Sequence, residues 1–146
     1  HLSNSGAISS AIHQAAGPEL LEECRRLGDC EEGDAKITPG YNLPTPWVIH
    51  TVCPPWRGGS HGEEQLAKCY RSCLELAAQH SLGSIAFPAI GTGAMGFPVE
   101  RAAEIAFAET SRFLLRSSAI GSILFVCFDS DTHRCFEQEF LKFSGL

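Results

Sequence analysis

Apolar and polar positions along the chain alternate between helical and extended periods. Residues 7–16 (AISSAIHQAA) read as a helix, and Gly17-Pro18 stops it. Pro18 suits a first helical turn and opens a second helix over 18–27. Residues 29–46 read as irregular, punctuated by Pro39-Gly40, Pro44 and Pro46. Trp47–Val52 is a β-rich run closed by Pro54-Pro55, and 57–62 (RGGSHG) reads as a flexible loop. Over 63–80, Leu66, Cys69, Tyr70, Cys73 and Ala77 recur at helical spacing. Ser84–Phe87 predicts a short buried strand, Pro98–Arg116 a long helix and Ser122–Phe128 a continuous apolar strand. Asp131–Phe143 predicts a closing helix with Phe136, Phe140 and Phe143 on one stripe. Apolar strands separated by long helices predict an α/β fold with a buried, largely parallel sheet.

Length and composition narrow the class. The chain has 146 residues, 44% hydrophobic and 19% charged, which predicts one ordinary globular domain over 1–146. No apolar run reaches the length of a membrane span, so no membrane partner is expected. With 11 Lys and Arg against 17 Asp and Glu, the net charge of −6 argues against a nucleic-acid partner. The first residue is His1, and no signal-peptide pattern follows it. The sequence therefore reads as one that begins inside a longer chain.

The seven cysteines are odd in number and contain no CxxC pair. They read as reduced, mostly packed thiols of an intracellular protein, cytoplasmic or nuclear, and no short ligand spacing announces a metal site. A nucleophile pair of His50 and Cys53 is disfavoured, because three positions on a strand point to opposite faces.

The strongest chemical signal is SIAFPAIGTGAMGFP, 84–98. A strand runs into Gly91, Thr92, Gly93, Ala94, Met95 and Gly96, and Pro98 then starts a helix. Glycines allow close backbone approach and expose successive N–H groups, and the helix start adds partial positive charge. Together they predict a phosphate site that needs no lysine or arginine. The same six residues also read as G-x-G-x-x-G, the dinucleotide fingerprint of an oxidoreductase, with Asp129 as its ribose acid. Against that reading, the loop lies late in the chain, and Asp129 follows Gly91 by 129 − 91 = 38 positions where about 20 are usual. A second small-residue element, Ser3-Asn4-Ser5-Gly6-Ala7, leads into the first helix. Two such elements suit a diphosphate better than a single phosphate.

Four stretches together resemble a macrodomain: SAIHQAAGPEL (10–20), GDAKITPGYNLPTPWVIHTVCPPW (33–56), SIAFPAIGTGAMGFP (84–98) and LFVCFDSDTHRCFEQEF (124–140). The likeness is nearest to the branch of bacterial and mitochondrial-type ADP-ribosyl hydrolases. It implies a three-layer α/β/α fold with a mixed, largely parallel sheet, and a ligand that is ADP-ribose, free or on proteins. It implies no redox cofactor and no metal.

By this resemblance, 91–96 wraps the diphosphate and distal ribose, with Met95 where an aromatic often stands. Gly6, Ala7 and Ile8 form the other phosphate loop, and Phe128 stacks on adenine. The branch's catalytic aspartate falls on Ser9, a poor base at neutral pH, and its flanking glycine is replaced by Ser10. His13 reads as a satisfied structural histidine. Hydrolysis of ADP-ribosyl esters or of O-acetyl-ADP-ribose therefore stays open beside simple binding. The family's opening strands, one of them near the middle of the sheet, have no counterpart in this sequence. One continuous sheet built from these residues alone would mean that the sheet had rearranged.

Overall fold

A computed structural model describes residues 7–144, Ala7 by its backbone alone. The elements run α1 (Ala7–Ala16), α2 (Pro18–Leu27), β1 (Ala35–Pro39), β2 (Trp47–Thr51), α3 (Ser60–Gln79), β3 (Ser84–Pro88), α4 (Val99–Arg116), β4 (Ser122–Val126) and α5 (Ser130–Phe143).

β1 and β2 pair antiparallel, with Ala35 opposite Thr51 and Pro39 opposite Trp47. β3 and β4 pair parallel, with Ser84 opposite Ser122 and Pro88 opposite Val126. A parallel pair needs a crossover, and α4 supplies it. The four described strands form two separate pairs rather than one continuous sheet.

Alternation along β2 assigns each face a helical layer. Ile49 and Cys53 pack into the main core with α3, while Val52 packs with Leu20, Cys24 and Cys30 beside α1 and α2. Helices thus cover both faces of β1–β2. Lys36 of β1 ties the layers together, donating to the carbonyls of Leu27 and Asp29 at 2.7 Å each. Those carbonyls lie at the C-terminal end of α2, where a cation is favoured.

The main core lies between α3, α4 and the β3–β4 pair. Leu66, Tyr70, Leu74 and Ala77 of α3 are fully buried, as are Ala102, Ala103 and Ala106 of α4. These alanines allow the two helices to approach closely. Phe87 and Phe125 meet Tyr70 edge-on, and Phe107 and Phe136 pack against Phe125 in turn, with Phe107 and Phe125 4.9 Å apart. At the helix starts, Arg101 of α4 grips Glu63 of α3 through two hydrogen bonds of 2.7 and 2.9 Å.

Three sequence expectations change. The stretch 29–46 is not wholly irregular, because it contains β1. That strand is five residues long and ends on Pro39, so its alternation is too short to register against the surrounding prolines. The loop predicted over 57–62 is helical from Ser60, because Gly62 is buried against Trp56 and Phe97 and tertiary contact extends the helix backward. The last strand ends at Val126 rather than Phe128, because Asp129 caps α5 and turns the chain.

Candidate functional site

The 91–96 loop leaves the C-terminal end of β3 and enters α4. Its shape comes from a short set of main-chain bonds. Ile90 N–H is shared between the Pro88 carbonyl at 2.9 Å and Tyr70 Oη at 3.1 Å, and Tyr70 is fully buried. Thr92 returns to the Ala89 carbonyl twice, through its N–H at 3.2 Å and its hydroxyl at 2.8 Å. Gly96 N–H closes onto the Gly93 carbonyl at 3.1 Å, and Phe97 N–H onto the Gly91 carbonyl at 2.9 Å.

Gly91 has φ +87, and Cβ there would lie 2.9 Å from the buried Phe97 ring. Glycine is required at that point on both counts. Gly93 and Gly96 face open space.

These closures leave the N–H groups of Gly91, Gly93, Ala94 and Met95 without an acceptor among the described residues. Residues 93–96 are exposed, and α4 begins three residues beyond Gly96. Open N–H groups beside a helix start are fixed partial positive charges of the kind that can receive an anion.

The other predicted contacts fall as follows. Gly6 lies outside the described residues. Ala7, Ile8 and Ser9 form the first turn of α1, and Ser9 keeps an interaction of its own. Phe128 stands in the turn between β4 and α5 and is 79% exposed, so it is not a core residue at a strand end. An aromatic face that open is available for stacking. Met95 is 39% exposed.

Asp129 is engaged as the N-cap of α5, accepting the Thr132 N–H at 2.8 Å. That hydrogen bond, with the Thr132 side chain and the Asp131 N–H, holds its carboxyl below the ordinary range. It is committed to a helix start rather than to a ribose.

His50 and Cys53 do point apart. His50 Nε2 lies 3.0 Å from Thr38 Oγ1 and its ring lies 3.9 Å from Cys24 Sγ, on the α2 side. Cys53 pairs instead with Cys69 of α3, whose thiol donates to the Val52 carbonyl at 3.4 Å. All seven cysteines are free thiols, and Cys24, Cys30, Cys69 and Cys73 are buried. Burial pushes the Cys73 thiol up to about 12, with the neighbouring Cys69 adding to the shift.

His13 is buried but not satisfied, because its Nδ1 has no partner among the described residues. The histidine of a short helix was expected to pack and bond. The same burial lowers its pKa. His50 is pushed down to about 4, first by burial and then by the charge of His13.

Periodicity alone marks Tyr70, Trp56 and Phe97 only as apolar positions. The structure places all three against the loop.

The Macro domain family profile matches residues 1–106. A macro domain-containing protein of Methanosarcina mazei is 49% identical over 138 residues, covering 94% of this chain and 74% of its own. An O-acetyl-ADP-ribose deacetylase of Salmonella gallinarum is 46% identical, covering 94% of this chain and 79% of its own. Among solved structures, the Oceanobacillus iheyensis macrodomain with ADP superposes with a TM-score of 0.94 at 36% identity, covering 99% of this chain and 80% of that one. With the profile matching more than half of the sequence and the fold shared nearly throughout, the chain belongs to the Macro domain family.

Proposed function

We propose that this chain binds ADP-ribose, free or attached to a protein. The observation that carries the reading is the row of N–H groups at Gly91, Gly93, Ala94 and Met95 that have no acceptor among the described residues. A diphosphate offers acceptors at that spacing, and backbone donors hold it without side-chain cations. This suits a chain whose net charge is −6. The exposed ring of Phe128 is the adenine platform, and by the family resemblance Gly6, Ala7 and Ile8 are the second phosphate contact. The complex of the Oceanobacillus macrodomain with ADP supports the nucleotide part of the reading. The seven free thiols support a reducing, intracellular compartment.

Calorimetric titration with ADP-ribose tests the proposal. Saturable binding is expected, and absence of heat at millimolar ligand overturns it.

A second reading is hydrolysis of an ester on the same ligand, favoured by the name of the Salmonella relative. The residue in the position of the branch's aspartate is Ser9, which cannot act as a base at neutral pH. The reading then requires a water oriented by the ligand's own diphosphate, with turnover slower than in an aspartate-bearing relative. Release of acetate from O-acetyl-ADP-ribose decides between binding alone and binding with turnover.

A further inference from the structure

The 91–96 loop is braced by a segment far from it in sequence. Trp56 N–H donates to the Met95 carbonyl at 2.7 Å. Between Pro54 and Gly59 this is the only main-chain N–H with an acceptor outside the helices among the described residues. The Trp56 ring lies 5.1 Å from that of Phe97, tilted by 48°. Beneath both rings is Gly62, buried in the first turn of α3. A Cβ there would meet Phe97 at 3.5 Å and Trp56 at 3.6 Å. Phe97 in turn holds Gly91 through the main chain and closes over it with its ring. Gly62, Trp56, Phe97 and Gly91 thus form an unbroken line of contact from α3 to the loop.

The hydrogen bond has a directional consequence. A peptide group is planar, so fixing the Met95 carbonyl fixes the Gly96 N–H on the opposite side. That N–H is the one closing the turn onto Gly93. The closed turn is what leaves Ala94 and Met95 N–H facing outward.

We propose that Trp56 is a positioning residue for the diphosphate loop. Its ring, seated on Phe97 and Gly62, holds its own N–H against Met95 and so keeps the 93–96 turn in its donor-outward shape. The inference rests on the ADP-ribose reading for its affinity consequence and on geometry alone for the brace.

The test compares the native protein with W56A and W56F, by amide exchange without ligand and by calorimetry with ADP-ribose. Loss of an aromatic contact of this kind corresponds to about a tenfold change. In W56A, exchange at Gly96 and Phe97 is expected to accelerate about tenfold while α4 amides keep native protection. ADP-ribose affinity is expected to fall about tenfold in W56A and to stay within about threefold of native in W56F. Unchanged exchange at Gly96 and Phe97 overturns the brace. An equal affinity loss in W56F and W56A overturns the role of the ring.

If the native protein binds no ADP-ribose, the proposed function fails while the exchange arm still reads the brace. Should W56A not fold, W47F leaves Trp56 as the single tryptophan. Its emission is then expected to shift on saturation with ADP-ribose, and emission that stays constant overturns the proposal.

Discussion

The ring of Phe97 closes over Gly91 so tightly that a Cβ at Gly91 would lie 2.9 Å from it, while Phe97 N–H donates to the Gly91 carbonyl at 2.9 Å. The loop is therefore closed at its base by the residue that follows it. Its three glycines do different work, and substitutions separate them. Gly91→Ala meets both a positive φ and a buried ring, and is expected to cost about 2–3 kcal/mol of stability. Gly93→Ala meets open space, so its melting temperature is expected to stay native. Because a ligand diphosphate must approach that backbone closely, ADP-ribose affinity is expected to drop about tenfold all the same. Thermal melts and titrations of the two variants, side by side, check the separation.

Phe128 offers the reverse of a core residue. With 79% of its surface exposed, Phe128→Ala removes almost no packing. Stability is expected to stay within about 0.5 kcal/mol of native. Loss of stacking on adenine is expected to weaken ADP-ribose by about tenfold or more. A stability loss instead would return Phe128 to a packing role.

The histidine pair predicts an acid-sensitive layer. His50 faces Thr38, Cys24 and His13, and its pKa falls from 6.5 to about 4. A depressed histidine is neutral in the fold and takes up a proton more readily when unfolded. Its stabilising effect is therefore complete above about pH 6.5 and is lost progressively as the pH falls toward 4. The size of that loss is about 2–3 kcal/mol. Burial lowers His13 as well, so its effect has the same sign. Urea midpoints measured from pH 7 to 4 are expected to decline, with a flatter profile in His50→Phe. An unchanged slope in that variant would assign the decline to other groups.

Ser9 separates binding from turnover. It sits in the first turn of α1, and the family resemblance aligns it with the branch's aspartate. Ser9→Asp is expected to raise acetate release from O-acetyl-ADP-ribose by about a hundredfold if a base at this place is what the chain lacks. Affinity for ADP-ribose should change much less. A variant that binds and still releases no acetate would show that α1 does not present this position to the reacting ester.

Much of this molecule was legible along the chain. Helical spacing marked α1, α2, α4 and α5 nearly to their ends, because an amphipathic stripe is a local property that survives packing. Period-two alternation separated His50 from Cys53 correctly, and the three glycines placed the 91–96 loop between a strand and a helix. What failed locally was decided by distant partners. β1 exists because β2 pairs with it, and α3 starts early because Gly62 finds Trp56 and Phe97. His13 reads from the sequence as a satisfied structural histidine, yet in the fold it is buried with Nδ1 unpartnered among the described residues, because a partner for a buried ring is a matter of tertiary contact. The loop's composition is likewise written in the sequence, and its shape is not. That shape depends on Tyr70, Phe97 and Trp56, whose contacts span separations at which no periodic pattern carries information. Spacing records which face of an element is buried, and only the tertiary structure decides what meets it there.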